Sequence, residues 1–103
     1  MIHVIAIVTA KPGTRDAILE AFRPIIPVVR AEAGCIEYGA ATDADGLGGF
    51  QTRFGPDTLL VIEKWESLEH LRAHSDSPHM ATFHAKVNDL IASRVVHALS
   101  PAA

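Results

Sequence analysis

The chain has a single cysteine, Cys35, so no disulfide can close within it, and a reducing, cytoplasmic setting is expected. It also lacks a dominant charge. Nine Lys and Arg stand against twelve Asp and Glu, a formal net charge of −3, and the cations are scattered. Without a basic stripe or polybasic run there is no footprint for nucleic acid or an anionic membrane. The longest apolar runs fall far short of the roughly 20 residues that span a bilayer. Met1-Ile2-His3-Val4 has no cationic segment and reads as the start of a strand rather than a signal peptide. No GxGxxG, GxxxxGK[ST] or GxSxG occurs, so nicotinamide, ATP and serine-hydrolase chemistry have nothing to rest on.

What is present is ordinary for a small globular chain. A length of 103 residues predicts one domain over 1–103, with 100–103 a loose tail. Hydrophobic residues make up 49% and charged residues 20%. That apolar surplus is more than a small core can hide, and a subunit interface is the usual cover.

One stretch stands out, Leu59 to His79, LLVIEKWESLEHLRAHSDSPH. An apolar run leads through Trp65 to Ser67, a helix-capping residue, and a helical pattern starts at Leu68. Trp65, His70, His74 and His79 all lie here. A strand feeding a helix in this way is a natural rim for a small-molecule pocket.

The rest reads as a frame for that rim. Ile2–Ala10 is a strand apolar on both sides, which a strand with one wet face would not be. Lys11-Pro12-Gly13 ends it, and Thr14 is the expected N-cap of a helix with apolar residues at Ile18, Leu19, Phe22, Ile25, Ile26 and Val29. Pro24 and Pro27 predict a kink or break within Phe22–Val28. Cys35–Thr42 is a second strand, with Gly39 suggesting a bulge or a close backbone approach. Asp43–Asp57 is a long Gly- and Asp-rich connection, either a plain turn or a lid whose Phe50 and Phe54 cover a pocket. Thr58–Glu66 is a third strand, also apolar on both faces. A short helix over Leu68–Ser75 follows. Ser77 and Pro78 then start another helix, with Met80, Phe83, Val87, Leu90 and Ile91 inward. Ser93–Leu99 is the last strand.

The order β-α-β-β-α-β is the ferredoxin-like split βαβ arrangement, an α+β fold whose four-stranded antiparallel sheet carries its helices on one face. Strands greasy on both faces need a second cover, which predicts a homodimer with sheet facing sheet.

Several motifs together resemble the antibiotic-biosynthesis monooxygenase domain family: Gly34-Cys35-Ile36-Glu37-Tyr38, then Val61-Ile62-Glu63-Lys64-Trp65-Glu66-Ser67, Leu71, His74 and Ser77-Pro78-His79. Ile2-His3-Val4 and Lys11-Pro12-Gly13 fit as well, so the resemblance runs from Met1 to about Leu99. It implies a ferredoxin-like protomer that dimerises into an α+β barrel. The family includes cofactor-free oxygenases of polycyclic phenols and quinols, haem-degrading enzymes and an isomerase of a signalling sugar derivative. The resemblance therefore implies a monooxygenase of a quinol or other electron-rich phenol, using O2 and no cofactor. The alternatives are a non-catalytic small-molecule-binding dimer and a haem-binding or haem-degrading protein.

His74 is the first candidate for chemistry. It lies one turn after Leu71, at a position that faces the pocket in several members, and an imidazole there can act as a general base. The plain alternative is a helix-end histidine favoured by the helix dipole. Trp65 is either a core anchor or a pocket wall. Tyr38 and Glu63 are candidates for a hydroxyl donor and a carboxylate partner to an imidazole, and Tyr38 equally suits sheet packing. Phe22, Phe83 and Phe50 are candidate substrate contacts. His84 lies in the apolar stripe, as a satisfied core histidine or a substrate contact. The haem-degrading branch has its iron-ligating His at the corresponding place. That branch, however, has a Trp where this chain has His74, and an Asn where the first strand offers only Ile5 or Ala6. His70 and His74 are spaced i, i+4 like paired metal ligands, but no HExxH pattern or further ligand follows, and no metal is expected.

Overall fold

The computed structural model describes residues 1–103. Its strands are β1 (Ile2–Ala10), β2 (Cys35–Ala41), β3 (Thr58–Trp65) and β4 (Ile91–Leu99), and its helices are α1 (Arg15–Phe22), α2 (Ile25–Arg30), α3 (Leu68–Ser75) and α4 (Pro78–Val87). A single 3-10 turn, Asn88–Leu90, joins α4 to β4. The four strands form one antiparallel sheet in the order β2-β3-β1-β4. This is the expected ferredoxin-like arrangement.

The predicted helix break falls at Arg23–Pro24, between α1 and α2. Proline restricts the residue before it and supplies no amide donor, so one apolar stripe becomes two short helices. Both still bury that stripe, through Ile18, Phe22 and Val29. Two local details differ from expectation. Thr14 holds the N-cap position of α1 but does not cap it with its side chain. Its hydroxyl is shared instead between the carbonyls of Lys11 and Leu90, at 2.8 and 2.9 Å, and ties this turn to the 3-10 turn. Gly39 is no bulge either, since it sits in register opposite Ile62. The irregularity lies earlier, between Cys35 and Glu37, where the strand enters from the turn.

Period-two alternation divides the strands between two faces. Val4, Ala6, Val8, Leu59, Val61, Glu63, Trp65 and Tyr38 are buried beneath the helices. The opposite face carries Ile5 beside Ile62 and Ile7 beside Leu60. Val95 and Leu99 continue it along β4, 49% and 46% exposed. No element of the chain covers this second face.

Candidate functional site

The covered face does not close into solid core. Between sheet and helices lies a cavity of about 290 Å³. Its walls are mostly apolar, including Val4, Ala6, Phe22, Leu71, Met80 and Phe83. His74, Glu63, Tyr38, His84 and Arg94 also reach it.

His74 owes its position to the chain on either side of it. The Ser67 hydroxyl accepts from the His70 amide and starts α3, the role its residue type predicts. His74 then falls in the last turn of the helix, facing the sheet and 4% exposed. The Ser77 hydroxyl donates to the His74 carbonyl at 2.7 Å, which closes that helix end.

Two carboxylates flank the His74 ring. Its Nδ1 lies 2.7 Å from Glu32 Oε2, and its Nε2 lies 3.7 Å from Glu63 Oε1. An ionised carboxylate only accepts, so Glu32 keeps the proton on Nδ1 and leaves the Nε2 lone pair toward Glu63 and the cavity. His79 Nε2 also donates to Glu32 Oε2, at 3.1 Å. The network thus runs from half-buried His79 through Glu32 to buried His74.

Glu63 is held from behind. The Trp65 Nε1–H donates to its Oε1 at 2.9 Å. Burial pushes the Glu63 carboxyl above the usual range, opposed by that hydrogen bond and by the His74 ring. Tyr38 lies face to face with Phe22 at 5.3 Å and edge-on to His74 at 5.4 Å. Burial, then the charges of Glu63 and Glu32, push its phenol far above the ordinary range, so it stays protonated. Burial lowers the His84 imidazole, with Arg94 and His74 adding to the effect.

The structure therefore brings His74, Glu63, Tyr38, Phe22, Phe83 and His84 to one cavity. Trp65 is elsewhere: fully buried, with its ring 4.7 Å from that of His74, it stands behind the site rather than on the wall. Phe50 is 83% exposed on the long connection and, like Phe54, lies outside the cavity lining. His70 turns away from His74, its Nδ1 at 2.7 Å from the Ser67 hydroxyl. The imidazole beside His74 is that of His79. With Glu32 these two place their ligating atoms within 4.8 Å, the composition of a two-histidine, one-carboxylate set. Two of the separations, 2.7 and 3.1 Å, are those of hydrogen bonds, shorter than the roughly 3.3 Å between ligands of a tetrahedral zinc.

Sequence reasoning missed Glu32. It lies 42 positions from His74, in the turn between α2 and β2. Gly34 fixes that turn at φ +79°, and a Cβ there would sit 2.3 Å from Cγ of His70. Only glycine lets the turn press this closely onto α3.

The family model for antibiotic biosynthesis monooxygenases matches residues 1–86. A probable quinol monooxygenase, YgiN of Escherichia coli strain K12, is 36% identical over 103 residues, covering 98% of both chains. The solved structure of Rv0793 from Mycobacterium tuberculosis superposes with a TM-score of 0.80 at 29% identity, over 99% of this chain and 95% of that one. PA3566 from Pseudomonas aeruginosa gives 0.81 at 26% identity, over 99% and 94%.

Proposed function

This chain belongs to the antibiotic biosynthesis monooxygenase family, and from that premise we propose that it is a monooxygenase of a quinol or related electron-rich phenol, with His74 as the base. The observation that carries this reading is a buried imidazole, set between two carboxylates, at the wall of an apolar cavity. A substrate hydroxyl has a place there. An oxygen about 2.8 Å from both His74 Nε2 and Glu63 closes a triangle on their separation. The phenol proton passes to Nε2. The imidazolium then lies between Glu32 and Glu63, and the Glu32–His79 contact leads to the surface.

The phenolate left in an apolar cavity is electron-rich enough to pass an electron to O2, so the substrate supplies the reducing power. The radical pair couples at a ring carbon and the peroxide breaks. One oxygen atom remains as a carbonyl. The other leaves as water with the hydroxyl proton and the ring hydrogen. Phe22, Phe83 and Tyr38 hold the ring and exclude water. The cavity suits one or two fused rings. The haem reading has only His84 on the wall in its support. A purely binding role would not need a charged relay in the wall.

The uncovered sheet face supports a homodimer in which two such faces meet. The reaction is tested by supplying isotopically heavy O2 with a panel of naphthols and quinols. One heavy atom per product quinone is expected. Oxygen uptake that releases hydrogen peroxide and leaves the product unlabelled would refute monooxygenation.

A further inference from the structure

Tyr38 carries a hydroxyl that the fold does not use. Its backbone carbonyl accepts from Arg30 Nε at 3.0 Å, and its ring stacks on Phe22. The phenol oxygen, in contrast, is in none of the chain's side-chain hydrogen bonds. The residue is 2% exposed. Yet no side-chain polar atom that is sealed in the core lacks a partner. The oxygen therefore meets open space, and that space is the cavity whose wall Tyr38 forms. Buried hydroxyls are normally satisfied, because leaving one unpaired costs stability.

Two neighbours fix where this hydroxyl works. Tyr38 pairs with Glu63 across β2 and β3, and residues paired in this way share a face of the sheet. The Tyr38 ring also meets the His74 ring edge-on at 5.4 Å. The phenol thus stands in the same part of the cavity as the base. A substrate that has given its proton to His74 Nε2 leaves a negative oxygen facing Glu63, and an ionised carboxylate can only accept. The new Nε2–H is one donor. A negative oxygen in an apolar cavity calls for another. Tyr38 is suited to donate and not to accept the proton, since burial and the charges of Glu63 and Glu32 hold its own in place, against the pull of Arg94.

We propose that the Tyr38 hydroxyl donates a hydrogen bond to the phenolate oxygen of the substrate, which makes the cavity a site for phenolate anions rather than for neutral arenes. This rests on the reading of His74 as the base, which sets where the reacting oxygen lies. The substrate proton goes to His74 Nε2, and Tyr38 keeps its own throughout.

The test reads the colour of bound para-nitrophenol, yellow only as the anion, at neutral pH. Its methyl ether, para-nitroanisole, cannot ionise and serves as the control. In Tyr38→Phe the ratio of ionised to neutral bound probe should fall about 10- to 100-fold, the worth of one hydrogen bond to a charged group. Affinity for the ether should stay the same. The melting temperature should hold, because no hydrogen bond within the fold is lost. A ratio unmoved by Tyr38→Phe overturns the inference. So does an equal loss of ether binding, or a melting temperature lowered by several degrees, since either marks Tyr38 as packing alone. His74→Ala reports on the base separately. A ratio lowered by Tyr38→Phe but indifferent to His74→Ala would keep the phenolate contact and remove the base, so either idea can fail alone.

Discussion

The two faces of the sheet invert the usual order. The covered face holds Glu63 and meets His74, while the uncovered face presents Ile5, Ile7, Leu60 and Ile62. Charges are normally kept wet and isoleucines dry. A stability argument alone would exchange the two sets. The difference teaches that the faces answer to different demands. Under the helices, burial serves to tune and aim polar groups. On the far side, the proposed dimer would use that grease as its interface.

That contrast can be broken in graded steps. His74→Ala should lower quinol-dependent oxygen uptake by about 10²- to 10⁴-fold, the usual share of a general base, and leave the hydrodynamic mass alone. Uptake at the original rate would remove His74 from the chemistry. Next comes Ile62→Glu on the opposite face. In the proposed dimer it buries an unpaired charge on each copy, a cost of several kcal/mol. Sedimentation at micromolar concentration should show the mass halve, and a mass indifferent to the substitution would put the interface elsewhere.

Smaller effects sharpen the picture. Burial raises the Glu63 carboxyl, so its stabilising contribution is complete below the ordinary carboxylate range and is lost as pH rises through the folded value. Glu63→Gln keeps an acceptor for the Trp65 N–H but never ionises. Its melting temperature relative to the parent should therefore climb with pH, reaching an advantage on the order of a few degrees above neutrality. A pH-independent difference would mean that the carboxyl titrates as though in water. Smallest of all, Phe50→Ser touches neither face and should change stability by no more than about 0.5 kcal/mol, with oxygen uptake unaltered. A large loss of turnover would place the long connection over the cavity during reaction.

The sequence carries most of the fold because its signals are periodic. Strands with apolar residues on both sides, Pro24 breaking a helical stripe, and Ser67 before Leu68 each act locally and can be read locally. His74 and Glu63 are visible for the same reason, since each has a defined phase on its own element. Glu32 has no such phase. It sits among Ala31, Ala33 and Gly34 in a turn, and it matters only because the chain folds back onto α3. Trp65 is conspicuous as a large residue, but its hydrogen bond to Glu63 depends on two side chains of one strand leaning together. Alternation groups Arg94 with Val96 and Ala98, yet only the pairing of β4 with β1 tells which side of the sheet they occupy.

The strand order leaves β2 and β4 as outer rims, each with a row of unpaired backbone groups. Both rims are blunted. The kink between Cys35 and Glu37 and the Glu37–Lys64 ion pair at 3.2 Å interrupt one. A register slip at Thr9–Ala10 disturbs the other. Lateral growth into a ribbon is thereby discouraged. In the proposed dimer, self-association would run through the flat of the sheet, where two molecules cover each other and the assembly stops growing.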